Sequence, residues 1–536
     1  MSTVSFAPGR RGVPPALIGL VAACVALVVV SDAQAAKKST KVSSASAAII
    51  RTGLENLEKQ VKDFTLPNGL KFIVVERHQA PVFSFQTVVN AGSANDAVGT
   101  TGIAHMMEHM AFKGNAIVGT SDYAKEKTLL DAEEKAWNAY LNERRKGMHA
   151  DSTRLKALSK AFAEAQAASR AVVKGNEFQK VIERAGAQNW NAFTADDITA
   201  YYYSLPSNRL ELWAAMEAGR MGFPVFREFY KERDVIYEER RMRYESSPFG
   251  RLLEEFTHAA FVAHPYGFGG IGHPSDLVTF SRMQGDEFFR RNYVAKNMTV
   301  AVVGDVTVAD VRRVADKYWN DLSSADAPPP VDTEEPPQRA ERRAILEDPG
   351  QPMMLIGYHV PAGTDPRYPA YEALADLLGG GDYARLNKVL VKEKKIATQV
   401  QVFTGFPGER YPNLLALFVV PASGQDPFKV EQEIYAVLDG IRQKPFTADE
   451  VNGYKVRIKA QKIGVAENNA NLAGELAQAQ SLYGDWHEFF REQQRVQALT
   501  PKALMDALNS SLVKSNRTAA LLVNPKAAAA ATEGGR

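Results

Sequence analysis

The sequence predicts an α+β protein built from two homologous copies, and three observations predict it. A Pro-rich stretch from Ser323 to Arg339, with Pro328-Pro329-Pro330 and Pro336-Pro337 among acidic and small residues, divides the chain into two unequal parts. The run Tyr293-Val-Ala-Lys-Asn-Met-Thr-Val-Ala-Val-Val-Gly304 before it resembles Leu512-Val-Lys-Ser-Asn-Arg-Thr-Ala-Ala-Leu-Leu-Val523 near the C-terminus, and both read as a terminal strand. Val89-Asn-Ala-Gly-Ser93 leads into an apolar helix over Gly102 to Phe112, as Val360-Pro-Ala-Gly-Thr364 leads into one over Tyr368 to Leu378.

In chain order, Arg10 and Arg11 precede the apolar run Ala16 to Val30, and Ala33-Gln34-Ala35 supplies the small-x-small pattern of a signal-peptidase site. Residues 1–35 therefore read as a secretory signal. The run has 15 residues, short of the roughly 20 a membrane-spanning helix needs, so no stable membrane span is expected. The protein is expected to be exported, into a periplasm, and its single cysteine, Cys24, falls inside the signal. The first copy, 36–322, opens with strand-type runs Leu70 to Val75 and Val82 to Val89, expected as an antiparallel pair. Lys125 to Lys174, rich in Ala, Glu, Lys, Leu and Arg and broken near Lys146-Gly147, predicts a helical hairpin inserted over about 120–176. The linker at 323–339 separates this copy from the second, 340–525, and an Ala-rich tail follows at 526–536.

Composition excludes several function classes. With 45% hydrophobic and 24% charged residues the chain is neither disordered nor polytopic. With 64 Lys+Arg against 62 Asp+Glu it carries no electrostatic footprint for nucleic acid.

The chemistry concentrates in His105-Met-Met-Glu108-His109. On a helix, positions i, i+3 and i+4 share one face, so both imidazoles and the carboxylate point the same way. Two neutral imidazoles at that spacing can bind one Zn²⁺, with the glutamate within reach of a water on the metal. Hydrolysis needs a third protein ligand. The stretch Phe229 to Tyr244 offers Glu232 and Glu239, seven residues apart and so on one helical face, whereas Glu238 is rotated away. Spacing alone leaves open that these glutamates are surface residues paired with Arg240, Arg241 and Arg243.

The signal segment, the zinc motif within Thr101-Gly-Ile-Ala-His-Met-Met-Glu-His-Met-Ala-Phe-Lys-Gly114, the Asn191-Ala192-Phe193-Thr194 segment and the run Glu232-Arg-Asp-Val-Ile-Tyr-Glu-Glu239 together resemble the pitrilysin/insulysin (inverzincin) zinc metallopeptidases, which include the mitochondrial processing peptidases. The resemblance implies a zinc endopeptidase acting on peptides or unfolded polypeptides, with His105, His109 and Glu239 as zinc ligands, Glu108 as general base and Glu232 as a supporting acidic residue. It also implies two α+β units closing like a clam shell, and an edge strand at Asn191 to Thr194 that binds an extended peptide by β-augmentation. Between His109 and Glu239 lie 129 residues, against the family's seventy-odd, and removing the inserted hairpin restores the usual interval.

Aligned through Gly114 and Gly380, the second copy has Tyr371, Leu374 and Ala375 in place of the motif, so one zinc per chain is expected. The family's substrate-contacting Arg and Tyr of the second copy are replaced by Val391 and Thr398. Two readings follow: a homologous partner chain supplies the missing pair in a heterodimer, or Lys392 or Lys394 substitutes in a self-sufficient monomer or homodimer. A non-catalytic or peptide-holding subunit of a larger assembly is the alternative function.

Overall fold

A computed structural model describes residues 53–525; the signal segment, Cys24 and the Ala-rich tail lie outside them. Two mixed sheets organise the chain. The first holds β1 (Lys62–Thr65), β2 (Lys71–Glu76), β3 (Val82–Val89), β4 (Gln188–Thr194), β5 (Thr199–Pro206) and β6 (Met298–Gly304), in the order β1-β2-β6-β3-β5-β4. The second holds β7 (Arg342–Glu347), β8 (Met353–Val360), β9 (Ala397–Phe406), β10 (Asn413–Pro421) and β11 (Arg517–Val523), in the order β7-β11-β8-β10-β9. Setting β1 aside, the two orders superpose strand for strand. In each sheet the last strand of the copy runs parallel to the first and antiparallel to the second.

That insertion corrects one expectation. β2 and β3 are not an antiparallel pair, because β6 lies between them, parallel to β2 and antiparallel to β3. β6 is buried at every position and apolar at all but Thr299, which suits a strand with neighbours on both edges and both faces covered.

Helices cover the faces, and the helices used below are α1 (Ile103–Met110), α2 (Tyr123–Arg144), α3 (Ser152–Arg170), α4 (Phe229–Arg240), α5 (Pro248–Ala260), α6 (Tyr368–Gly379) and α7 (Asn469–Tyr483). On the first sheet Phe72, Phe85, Val300 and Val302 face a core shared with α1, whereas Ile73, Val75, Ala301 and Val303 face the opposite side. There they meet Leu472, Ala473, Leu476 and Ala477 of α7, a helix of the second copy. The exchange is reciprocal: α5 of the first copy lays Leu252, Phe256 and Ala260 on Leu355, Ala416 and Leu522 of the second sheet. Each copy thus completes the other's sandwich, and each fully buried Leu or Phe at these faces contributes about 1.5–3 kcal/mol. Residues 323–339 form neither helix nor strand and are fastened along their length. Glu335 accepts the N–H groups of Val262, Ala263 and His264 just past α5, and Val331 N–H donates to Tyr411 Oη.

The β4–β5 and β9–β10 turns also meet between the copies. Asp197 accepts the N–H groups of Glu409 and Arg410 at 2.7 and 3.0 Å and the Tyr266 hydroxyl at 2.6 Å. Burial, followed by the carboxylates of Glu492, Asp197 and Glu475, pushes Glu409 up to about 7, against the lowering effect of the Tyr483 hydroxyl bonded to it. A carboxyl whose folded pKa is raised costs nothing below its unfolded value of 4.5 and costs most above about 7, so its contribution to stability falls as pH rises through that window. Glu409→Gln, which cannot ionise but can still accept from Tyr483, is therefore expected to stabilise the chain by about 1–3 kcal/mol at pH 8 and to leave it unchanged at pH 4.5. Melting temperatures of the two proteins at both pH values check this; an equal shift at both would contradict it.

Candidate metal centre

The helix that presents the two histidines starts at a position only glycine can fill. Gly102 has φ +93°, and a Cβ there would lie 2.1 Å from the carbonyl oxygen of Ile271. Asp96 takes the place of a side-chain cap, accepting Gly102 N–H at 2.6 Å and Ala104 N–H at 3.0 Å. Burial raises the Asp96 pKa well above the usual carboxylate value, against the lowering effect of these two N–H groups. Thr101 is held in turn by Asp276, which accepts its N–H at 3.1 Å and its hydroxyl at 2.7 Å.

α4 brings its glutamates to the same place. His105 Nε2 and His109 Nε2 lie 3.8 and 3.7 Å from one oxygen, Oε2 of Glu239. Those separations are too long for hydrogen bonds. They are close to the ~3.4 Å that separates neighbouring ligands of a tetrahedral ion bonded at about 2.1 Å. Among the described residues the buried His105 Nδ1 has no hydrogen-bond partner, and its Nε2 lies too far from Glu239 for one. Burial, then His109 and Arg243, lower its pKa to about 3, which keeps the ring neutral, the form that ligates. Two imidazoles and a carboxylate are a donor set that Zn²⁺ fits.

The remaining charges are arranged around these three. Glu232 Oε2 stands 3.5 Å from His109 Nδ1, the carboxylate–imidazole arrangement that orients a metal-binding ring. Glu232 also pairs with Lys113, which reaches Glu228 at 3.2 Å. Burial works against ionisation of Glu232, yet the bonds from His109 and Lys113 outweigh it and hold the carboxyl at about 2. Burial alone would lower His109, but the Glu232, Glu108 and Glu239 carboxylates lift it above the usual value. Glu239 Oε1 accepts from Arg243 at 2.8 Å, so the glutamate pairs with an arginine and faces the histidines at once. Glu238, by contrast, pairs with Arg241 on the exposed side.

Glu108 lies on the same helical turn, with its Oε2 accepting the Thr194 hydroxyl at 2.7 Å. Burial raises its pKa, tempered by Thr194 and His109. Thr194 ends β4, the edge strand of the first sheet. Asn191, Ala192, Phe193 and Thr194 pair with Tyr202, Tyr201, Ala200 and Thr199 on one side, and no described strand pairs with the other. The side-chain carbonyl of Asn191 accepts Ala192 N–H at 2.9 Å, and Phe193 packs on the core beneath α7.

α2 and α3 form the inserted hairpin, and its two ends are tied together by a Thr120–Val173 bridge and a bond from Ser121 N–H to Val172 O. The hairpin packs on α4. Trp137 meets Tyr230 at 5.0 Å with the rings tilted by 44°, Arg233 lies over the Trp137 ring at 4.4 Å, and the Tyr230 hydroxyl donates to Glu134. Arg227, just ahead of α4, makes a fully buried ion pair with Glu126 at 2.8 Å and donates to Val118 O.

Comparison with known proteins places this arrangement. Residues 71–163 match the family description "Insulinase (Peptidase family M16)", and residues 279–457 match "Peptidase M16 inactive domain". The chain belongs to peptidase family M16. It is 29% identical over 420 residues to "Zinc protease PqqE" of Helicobacter pylori, covering 76% of this chain and 81% of that protein. A crystal structure of a protease from Helicobacter pylori matches with TM-score 0.72 and 26% identity, covering 86% of this chain and 99% of that one. The first half of the periplasmic protease PqqL from Escherichia coli matches with TM-score 0.65 and 18% identity over 88% of this chain; this is 94% of that half and 48% of the whole PqqL chain.

In the second M16 unit the positions aligned with the motif are apolar or satisfied: Leu374 and Ala375 are buried, and Tyr371 Oη lies 2.8 Å from Ser511 Oγ. Val391 packs on the second core, and the Thr398 hydroxyl donates to Val420 O at 3.3 Å. Lys392 pairs with Asp382 and Lys394 with Glu433.

Asp96, Asp276 and Lys113 were not legible as site residues, because each acts on the motif through a fold contact and not through helical spacing. The one available signal was the acidic residue six positions before Gly102, within reach of a helix N-terminus.

Proposed function

We propose that this M16 chain is a zinc endopeptidase that cleaves extended peptides or unfolded polypeptides. The observation that carries the reading is the convergence of His105 Nε2 and His109 Nε2 on Glu239 Oε2, at 3.8 and 3.7 Å, beside the buried Glu108. One Zn²⁺ held by these three residues would supply a Lewis acid for a peptide carbonyl and acidify a water. Glu108 would take a proton from the water as its oxygen bonds to the peptide carbonyl carbon, and would return it to the leaving amine as the C–N bond breaks. Its raised pKa keeps it a better proton donor in the second step than an exposed glutamate would be. Glu232 holds the His109 ring through Nδ1, and Arg243 and Lys113 hold Glu239 and Glu232 in place.

The substrate lies along the free edge of β4, paired to the backbone of Asn191, Ala192, Phe193 and Thr194, which delivers its carbonyl to the residue that Thr194 holds. Export into the periplasm follows from the N-terminal segment and agrees with the description of PqqL as periplasmic. A homologous partner chain is the favoured source of the missing Arg/Tyr pair, since Val391 and Thr398 face their own core and strand and Lys392 and Lys394 are paired within the second copy. The same replacements favour, as second reading, a subunit that holds peptides without cutting them.

The deciding experiment is cleavage of a quenched-peptide library by the purified chain, with and without a chelator, alongside His105→Ala. Cleavage lost on chelation, restored by zinc, and absent from His105→Ala along with one equivalent of the wild-type zinc supports the peptidase; zinc-loaded chain that cleaves nothing supports the holding subunit. Thr194→Val tests the positioning of Glu108. It removes one hydrogen bond worth about 1–1.5 kcal/mol, so kcat is expected to fall roughly tenfold with KM nearly constant. Steady-state kinetics check this, and a rise in KM alone would assign Thr194 to substrate binding.

A further inference from the structure

We propose that Glu254, His258 and His273 form a second transition-metal site, which clamps the loop that seats α1 onto α5. One ligand atom from each lies within 4.8 Å of the others, and none of the three is shared with the His105–His109–Glu239 centre. Glu254 and His258 are four residues apart on α5, hence on one face. His273 comes from the loop after it, with its ring centroid 5.7 Å from that of His258 at an interplanar angle of 37°.

Three features make this more than a chance grouping of surface side chains. Among the described residues neither imidazole makes a hydrogen bond, so both are available as donors. Glu254 is pre-oriented: its Oε1 accepts from Arg240, the residue after Glu239, and this leaves the second oxygen open. His273 is carried on an anchored backbone. Its N–H donates to Thr101 Oγ1 at 2.8 Å, and Gly272 packs so closely on Thr101 that a Cβ would lie 2.0 Å from its carbonyl oxygen.

Two imidazoles with one carboxylate select Zn²⁺, Ni²⁺, Co²⁺ or Cu²⁺ over Mg²⁺ and Ca²⁺, which prefer oxygen ligands. An ion bound there joins two parts that matter to the first centre. The 269–276 loop contacts Thr101 and Gly102 at the start of α1, and α5 rests on the second sheet. The clamp therefore fixes the N-terminus of the motif helix to the interface between the two copies. The open fourth position suits a water.

Co²⁺ titration of the full chain, stripped with a chelator and followed by visible absorption, tests this. The expected result is two equivalents for the wild type, one each for His258→Ala and His273→Ala, and one for His105→Ala. His258 is exposed, so its replacement leaves packing intact and peptide cleavage is expected to persist. In the His105→Ala background, added zinc is expected to raise the melting temperature, and in His105→Ala/His258→Ala to leave it unchanged. A single equivalent in the wild type that is lost in His105→Ala, or an unchanged number of equivalents in both His258→Ala and His273→Ala, overturns the proposal. Because His105→Ala reports on the first centre alone, failure of that assignment would be distinguishable.

Discussion

Glu108→Gln is expected to lower kcat for peptide cleavage by about 10²–10⁴-fold while the chain keeps its zinc. The side chains are nearly isosteric, and the amide oxygen of Gln can still accept the Thr194 hydroxyl, so the local packing survives. What is lost is the ability to take a proton. The three ligand atoms, within 4.8 Å of one another, belong to other residues, so metal content should stay near that of the wild type. His105→Ala behaves differently: it removes one of those atoms and should lose one equivalent of metal, that of this centre, together with turnover. Zinc analysis beside kinetics with a quenched peptide separates the two variants. A Gln variant that cleaves at the wild-type rate would remove Glu108 from the chemistry, and one that loses zinc would show that the carboxylate also supports the ion.

The contrast between these residues and their surroundings explains how much was readable in the sequence. His105, Glu108 and His109 are fixed relative to one another by helical period, as are Glu232 and Glu239, and period is a local property. The meeting of the two helices was not local, and the resemblance to the pitrilysin/insulysin peptidases carried it. The copies were legible because Met298–Gly304 and Arg517–Val523 retain similar residues and end equivalent sheets. The pairing of β2 with β6 was not, since the partner lies more than 220 residues away and an apolar run does not name its neighbour. Nor was the exchange of α5 and α7, which depends on two sheets being apolar on both faces. Asp96 and Asp276 look like ordinary loop acids until the fold brings them to α1.

The inserted hairpin offers the largest expected effect away from His105, His109 and Glu239. Trp137 is 2% exposed and sits among Tyr230, Phe162 and Tyr140, with the Arg233 guanidinium on its face. Trp137→Ala should cost about 3–5 kcal/mol if the whole chain feels it. The hairpin, however, is closed on itself at Thr120 and Val173, and Ser169 bonds Glu133 across it, so it can loosen as a unit. The loss then falls on α4, whose Tyr230 and Arg233 rest on the missing ring while Glu232 and Glu239 face the histidines from the same helix. Zinc affinity is expected to drop about 10–100-fold, as for loss of an outer partner of a metal site. Lys160→Ala, on the exposed side of α3, is the control and should change neither stability nor zinc binding. Competition titration with a chromophoric chelator reads the affinity, and thermal melts with saturating zinc read the stability. If Trp137→Ala melts early yet binds zinc as tightly as the wild type, the hairpin stabilises the fold without positioning α4, and the long interval between His109 and Glu239 has another use.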